Sequence, residues 1–172
     1  MSKPEFVYTT YIMAGPQEVW NALTDRAFTK RYWHGTEVRS DWQIGSTVDL
    51  ADPAGNVATT GKVLACDPPR LLSYTWTVSF HEVFSCEGAS KVTFELTPAG
   101  NATQLTVTHE GFPPDSIVLD AISGGWPSVI SGLKTILETG VLEFPIGGEP
   151  GKDPYAEAIA WGIAERERRT KK

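Results

Sequence analysis

Residues 106–140 read TVTHEGFPPDSIVLDAISGGWPSVISGLKTILETG, and in this stretch strand spacing gives way to helix spacing across Pro113-Pro114. Leu105, Val107 and His109 alternate onto one face of a strand that runs into it. Beyond the two prolines, apolar residues recur at the helical intervals i, i+3, i+4, i+7 and i+11: Trp126, Val129, Ile130, Leu133 and Leu137. Both apolar faces must be buried, so we expect a long C-terminal helix packed on a sheet.

The same stretch carries two glycines and a proline inside the expected helix. Pro127 lacks a main-chain N–H, and its ring clashes with the preceding helical turn. Gly124 and Gly125 lie just before it. We therefore expect a helix from about Asp115 to Gly140 that is interrupted near residues 124–127.

The preceding residues predict a meander of short antiparallel strands with two small helices near its start. Residues 5–13 are rich in β-branched and aromatic types, and Gly15-Pro16 then favours the start of a helix. A second short helix is predicted over residues 26–32. Further strand-like runs are separated by turn-forming residues; they cover residues 47–50, 57–66, 72–80, 92–96 and 105–109.

The pattern divides the chain into a domain over residues 1–141 and an extension over residues 142–172. The extension opens with a Gly- and Pro-rich linker, and Asp153-Pro154 then predicts a helix to about Arg169. Tyr155, Ile159 and Ile163 form a narrow apolar stripe on that helix. An isolated helix of this length is marginal in water, so we expect it to dock on its own domain or on a second subunit.

Composition excludes several classes of function. The chain of 172 residues has a net charge of −6, which argues against a nucleic-acid partner. It contains no apolar run long enough to cross a membrane and no secretory leader, so a cytoplasmic location is expected. The pairs His81-Glu82 and His109-Glu110 lack the second histidine of a zinc-binding H-E-x-x-H motif. We expect no metal and no cofactor.

Several short motifs follow one another in an order typical of one family. They are Pro16-x-x-Val19-Trp20-x-x-Leu23, Tyr32-Trp33, Gly61-x-Val63, residues 67–71 (DPPRL), 74–76 (YTW), 92–96 (VTFEL), 105–112 (LTVTHEGF) and Gly125-Trp126. Over residues 6–141 the chain resembles bacterial proteins related to the activator of the ninety-kilodalton heat-shock protein ATPase, within the START-like, or SRPBCC, superfamily. The resemblance implies an α+β helix-grip fold of the START/Bet v type. In that fold a curved antiparallel sheet wraps around a long C-terminal helix, with two small helices at one end, and encloses a cavity.

The candidate site is a cavity between the sheet and the terminal helix. The alternation places His109 on an otherwise apolar inward face, where it needs a hydrogen-bond partner. A structural histidine, a polar contact for a ligand and a proton-transfer group are all open readings. Trp33, Trp76 and Trp126 are either core residues or cavity walls. The full set of candidate ligand-binding residues is Trp33, Val48, Trp76, Val78, Phe94, His109, Phe112, Trp126 and Ile130.

The function favoured by these observations is the binding of a hydrophobic or aromatic small molecule, and no catalytic residue is assigned. One alternative is a co-chaperone-like interaction module, whose partner is a chaperone or a second copy of the chain. It predicts an exposed apolar patch. Another alternative is an enzyme of the polyketide cyclase or hydrolase type, which needs several polar groups converging with His109.

Overall fold

The computed structural model describes residues 3–141, 153 and 155–172. The expected linker lies largely outside these residues. In chain order the elements are β1 (Glu5–Ile12), α1 (Pro16–Thr24), α2 (Arg26–Tyr32), β2 (Glu37–Arg39), β3 (Thr47–Ala51), β4 (Val57–Asp67), β5 (Leu71–Val78), α3 (Glu82–Ser85), β6 (Ser90–Ala99), β7 (Ala102–Glu110), α4 (Ile117–Thr139) and α5 (Ala156–Thr170).

The seven strands form one antiparallel sheet in the order β1-β7-β6-β5-β4-β3-β2. The sheet curves around α4, and α1 and α2 lie near its start, so the expected α+β helix-grip fold is confirmed. Strand β2 and helix α3 were not predicted, because three and four residues are too few to establish a period. None of the helices in the described residues is long and apolar enough to cross a membrane.

The core lies between the inner face of the sheet and α4. Strands β5, β6 and β7 turn alternate side chains inward, as the sequence predicted. From the sheet these buried side chains include Leu72, Tyr74, Trp76, Val92, Phe94, Leu96, Leu105 and Val107. Burial of one large aliphatic side chain contributes about 1.5–3 kcal/mol, so this contact stabilises the domain.

Helix α4 is continuous through Pro127, so the expected interruption near residues 124–127 is wrong. A proline inside a helix costs about 3 kcal/mol. Buried side chains hold the helix against the sheet from Trp126 onward, and they include Val129, Ile130, Leu133 and Ile136. The packing of this stripe outweighs the loss of one main-chain hydrogen bond.

The start of α4 is set by two side chains that accept its first N–H groups. The hydroxyl of Ser116 accepts a hydrogen bond from the Leu119 N–H at 2.9 Å. The carboxylate of Glu87 accepts the N–H of Ile117 at 2.9 Å. Because the capped N–H groups belong to Ile117 and Leu119, the helix begins at Ile117. This is two residues after Asp115, where the sequence predicted the start.

Helix α5 packs against α3 and the start of α4 of its own domain. Gly162 is buried, and a Cβ atom there would lie 2.8 Å from the ring of Phe84. Just before the helix, Tyr155 stacks on Phe80 with 4.4 Å between ring centroids. The expectation that this helix docks is therefore confirmed within one chain.

Polar contacts fix the docked position. Arg166 donates to the main-chain oxygen of Val83 at 2.8 Å and to Glu87 at 2.9 Å. The hydroxyl of Tyr155 donates a hydrogen bond to Asp52 at 2.9 Å. Burial is the main cause that raises the pKa of Tyr155, and the carboxylate of Asp52 raises it further. The carboxylate of Glu87 thus joins α5 to the start of α4.

Two details of the extension differ from expectation. The helix begins at Ala156, after Asp153 has accepted the N–H of Tyr155 at 2.9 Å; Pro154 lies outside the described residues. Ile163 is 43% exposed, so it does not belong to the docked face. Gly162 takes that place because only a residue without a side chain fits against Phe84.

Candidate functional site

Three tryptophans from three different elements meet beside α4. Trp33 directly follows α2, Trp76 lies on β5 and Trp126 lies on α4. The rings of Trp33 and Trp76 are nearly parallel, with 6.3 Å between their centroids. The ring of Trp126 is tilted against both, and its centroid lies 5.3 Å from that of Trp33 and 5.6 Å from that of Trp76. All three side chains are at least nine-tenths buried. They form a rigid aromatic cluster where the sheet meets the helix.

Local structure places Trp33 in this cluster. Asp25 caps α2 by accepting the N–H groups of Ala27 and Phe28. At the other end of α2, the buried hydroxyl of Tyr32 donates to the main-chain oxygen of Ala22 at 2.7 Å. With both ends fixed, the residue after Tyr32 points into the core.

Strand packing places Trp76. Gly61 on β4 allows an unusually close approach to β5, since a Cβ atom there would lie 1.7 Å from the main-chain oxygen of Thr75. The Thr75 hydroxyl accepts the N–H of Lys62 at 2.8 Å. Thr75 is thus held on one face of β5, and Trp76 faces the core on the other.

A hydrogen-bond chain runs from Trp126 through His109 to β5. The indole N–H of Trp126 donates to Nδ1 of His109 at 3.1 Å, and Nε2 of His109 lies 2.8 Å from the hydroxyl of Ser90. An indole N–H can only donate, so the neutral imidazole carries its proton on Nε2 and donates to Ser90. Ser90 in turn donates to the main-chain oxygen of Trp76 at 3.2 Å.

Burial makes His109 a neutral residue. Its side chain is fully buried, and this desolvation lowers its pKa to about 3. Both ring nitrogens are already hydrogen-bonded within the protein. His109 therefore orients Trp126 in this structure.

A pocket with a volume of about 130 Å³ opens beside the tryptophan cluster, and we refer to it as the tryptophan pocket. Its mouth is partly exposed at His34, Ile122 and Gly125. The lining residues are Trp33, His34, Trp76, Ile122, Gly125, Trp126 and Val129. Aromatic rings and aliphatic groups thus dominate its walls, as in sites for small apolar molecules.

One buried polar group of the tryptophan cluster has no hydrogen-bond partner. The indole N–H of Trp76 is buried without a hydrogen-bond acceptor, whereas the same group of Trp126 is bonded to His109. A buried donor left without an acceptor costs about 1–3 kcal/mol. Such a group in a native protein calls for a physical explanation.

Of the nine candidate residues, Trp33, Trp76 and Trp126 line the tryptophan pocket, and the other six lie around it or deeper in the core. Phe94 packs edge-on against Trp126 at 5.6 Å, and Phe112 contacts His109 at 4.8 Å. The remaining three pack in the core: Val48 and Ile130 fully, and Val78 at its margin. Trp76, Phe94, His109 and Trp126 do converge, since the rings of Trp76 and Trp126 both contact His109 and the ring of Phe94 contacts Trp126.

Sequence reasoning missed four of the lining residues. Ile122 lies four residues before Trp126, and Val129 lies three residues after it. The helical spacing therefore places both on the same face of α4 as Trp126. Gly125 contributes a gap because it has no side chain. His34 gave no signal, since its position follows from a left-handed backbone (φ 51°) after α2.

A larger cleft of about 320 Å³ lies between the start of α4 and the end of α5. Its arginines are already paired, Arg169 with Asp120 at 2.5 Å and Arg168 with Glu165. Because these charges neutralise one another, the tryptophan pocket is the better candidate for a ligand.

The sequence profile of the Activator of Hsp90 ATPase homolog 1-like protein family matches residues 13–138. MLL2253 from Mesorhizobium loti is similar in structure, with a TM-score of 0.69 and 28% identity over 81% of this chain and 100% of that one. CalU16 from Micromonospora echinospora has a TM-score of 0.68 and 23% identity, over 96% of this chain and 84% of that one. PFC0360w, an Hsp90 activator from Plasmodium falciparum, has a TM-score of 0.65 and 23% identity, over 77% of this chain and 95% of that one. No curated protein matches the chain.

Proposed function

The chain belongs to the family of Activator of Hsp90 ATPase homolog 1-like proteins, and we propose that it binds a small aromatic or apolar molecule in the tryptophan pocket. The observation that carries the proposal is the pocket itself, with its walls of three tryptophans at the junction of β5, α2 and α4. Rings held this firmly lose little entropy when a planar ligand packs on them.

The volume of the pocket limits the ligand. An apolar cavity of about 150 Å³ takes up benzene, so about 130 Å³ accommodates one aromatic ring or a group of similar size. The exposed mouth at His34 leaves room for a larger molecule to extend towards solvent. We infer a ligand that inserts one ring and keeps the rest outside.

Binding fits these residues better than catalysis does. His34 is the one titratable side chain among the seven that line the pocket. His109 is next to the cluster, but its two nitrogens are engaged by Trp126 and Ser90. A cyclase or hydrolase needs several polar groups around the reacting atoms.

The glycines of α4 provide a matched test. A Cβ atom added at Gly124 or at Gly125 would meet no atom within 4 Å, and of these two glycines only Gly125 lines the pocket. Gly125→Leu should fill the pocket, and Gly124→Leu should leave it free, while both variants gain similar helix propensity. Aromatic ketones and hydrocarbons can be screened by thermal shift and by quenching of tryptophan fluorescence.

We expect hits with the wild type and with Gly124→Leu, and a loss of at least ten-fold in affinity with Gly125→Leu. A ligand at one hundred times its dissociation constant stabilises the fold by about 2.7 kcal/mol. Equal binding to both leucine variants, or no binding to the wild type by any compound class, would overturn the proposal.

An exposed apolar face on β1 favours a second function, the binding of a protein partner. Val7 and Tyr11 of this edge strand, and Met13 directly after it, are each more than half exposed. PFC0360w, which shares the fold, is an Hsp90 activator. The partner under this proposal is a chaperone ATPase of the Hsp90 type.

The ATPase rate of such a chaperone tests this second function. The wild-type protein should raise the rate, and Tyr11→Lys should abolish the effect. The matched control is Leu64→Lys, which changes an exposed apolar residue of β4. An ATPase rate that does not respond to the wild-type protein would remove the chaperone as the partner.

A further inference from the structure

We propose that the chain pairs with a second copy of itself along the free edge of β1, so that the two sheets join into one. This inference goes beyond both proposed functions, because it concerns the main chain of β1. The main-chain groups of Glu5, Val7 and Thr9 point away from β7, the one strand that pairs with β1. Among the residues that the structure describes, none forms a hydrogen bond with these groups on that side.

Contacts with α4 show which main-chain groups of β1 face the free edge. The main-chain oxygen of Tyr11 accepts a hydrogen bond from Nζ of Lys134 at 2.8 Å, and the N–H of Met13 donates to Glu138 at 2.9 Å. Successive residues of a strand direct their main-chain groups to opposite sides. The odd-numbered residues of β1 therefore face away from β7, and the even-numbered residues pair with it.

The registers of the inner strands lead to the same assignment. The N–H of Leu96 on β6 donates to the main-chain oxygen of Arg70 at 2.9 Å, so Leu96 faces away from β7. Leu96 lies opposite Leu105, which must then direct its groups towards β1, where it lies opposite Thr10. Thr10 is thus bonded to β7, and its odd-numbered neighbours are not.

The two edges of the sheet differ in their protection against further pairing. Strand β2, at the other edge, has three residues, and two of them, Glu37 and Arg39, form an ion pair at 3.1 Å. Short strands and charged side chains are means by which proteins prevent edges from pairing. Strand β1 has eight residues and one charged side chain, that of Glu5. Such an edge is a template for another strand.

The free edge of β1 is complementary to itself. Because Lys134 occupies the edge at Tyr11, an added strand has Glu5, Val7 and Thr9 available for pairing. A second copy related by a two-fold axis at Val7 uses all three in an antiparallel register. Val7 then lies opposite Val7 of the other copy, and Glu5 lies opposite Thr9. Each of these pairs exchanges two N–H···O bonds.

The side chains of β1 fit the same register. On the inward face, Phe6 comes opposite Tyr8 of the other copy; both are half-buried, and their rings stack within one chain at 6.5 Å. Aromatic pairs that lie opposite each other stabilise antiparallel sheets. The two Glu5 residues lie four positions apart along the paired strands, about 13 Å, so like charges do not meet.

Amide hydrogen exchange of the wild-type protein at micromolar and at near-millimolar concentration tests the pairing directly. The amides of Val7 and Thr9 should exchange at least ten-fold more slowly at the higher concentration, because the second copy supplies their acceptors. The amides of Phe6 and Tyr8 are bonded to β7 in either state, so they serve as internal controls. Sedimentation velocity under the same conditions should show a change from monomer to dimer.

A substitution at the two-fold axis gives a matched test. Val7→Pro removes the central N–H, and an edge strand tolerates proline where its N–H faces solvent. Val7→Thr keeps this N–H and the β-branched shape. The dissociation constant of the dimer, measured by sedimentation equilibrium, should rise at least ten-fold in Val7→Pro and stay close to the wild-type value in Val7→Thr. If Val7→Pro does not fold, the exchange experiment on the wild type decides.

Three results would overturn the proposal. The first is a wild-type protein that stays monomeric at near-millimolar concentration, which would leave the edge to a different occupant. The second is a dimer whose Val7 and Thr9 amides exchange as fast as those of the monomer, and the third is equal dimerisation of the Val7→Pro and Val7→Thr variants. Pairing uses main-chain groups, whereas the ligand and chaperone proposals depend on side chains, so each can fail separately.

Discussion

At the scale of single residues, His109 links the sheet to the helix. Its ring accepts from Trp126 on α4 and donates to Ser90 on β6. Each bond fixes the other because the neutral ring has one donor and one acceptor. A protonated ring would present two donors, and the bond to Trp126 would be lost. The cluster that lines the pocket therefore depends on the neutral form of this histidine.

The first prediction concerns stability in acid. In the unfolded chain a histidine takes up a proton near pH 6.5, whereas the native pKa of His109 is about 3. Between these values the unfolded state binds more protons, so the free energy of unfolding falls as the pH falls. One such group contributes a slope of about 1.4 kcal/mol per pH unit.

The variant His109→Gln isolates this contribution, because glutamine is always neutral and its side-chain amide still offers N–H donors and a carbonyl acceptor. Urea unfolding between pH 7 and pH 4.5 should show a shallower loss of stability in the variant than in the wild type. The slopes of the free energy of unfolding against pH should differ by almost the amount expected for one proton, about 1.4 kcal/mol per pH unit. Identical slopes would mean that His109 is protonated in the native state as readily as in the unfolded state.

At the scale of elements, α5 is attached through a contact that requires a glycine. Gly162 lies against Phe84 and Val83 of α3, where a Cβ atom would come within 2.8 and 3.2 Å of their side chains. The ion pair of Arg166 with Glu87 adds a polar contact to a nearly buried carboxylate. Since Glu87 also caps α4, the docking of α5 and the start of α4 are coupled.

The second prediction follows from this contact. Gly162→Leu should displace α5 from α3, although leucine is the better helix former. The control is Ala164→Leu, which adds the same side chain at an exposed position of α5. Amide hydrogen exchange over residues 156–170 should accelerate at least ten-fold in Gly162→Leu and stay unchanged in the control. Equal protection in both variants would show that this contact does not hold the helix.

How far the sequence predicted the structure depended on the length of each element. Strands such as β5 and β7 alternate over eight or more residues, so their inward faces were predictable. The continuity of α4 was not predictable, because the contacts that outweigh the effect of Pro127 are made with the sheet, far away in sequence. The two-residue delay at its start depends on Glu87, which is distant in sequence.

At the scale of the whole molecule, the pocket arises where the curved sheet and α4 diverge beside three large rings. Sequence patterns predicted that Trp33, Trp76 and Trp126 face inward. They could not predict the space left beside these rings, because it depends on side-chain volumes and on the turn at His34. The absence of a side chain at Gly125 completes that space.

The measurement that tests the binding site most directly is a set of nuclear Overhauser contacts between acetophenone and the methyl groups of the protein. The ring protons of bound acetophenone should contact the methyl groups of Ile122 and Val129, which line the tryptophan pocket. These contacts should vanish in Gly125→Leu and persist in Gly124→Leu. Contacts to methyl groups elsewhere, such as the exposed Val7 of β1, or contacts that survive in Gly125→Leu, would contradict a binding site in this pocket.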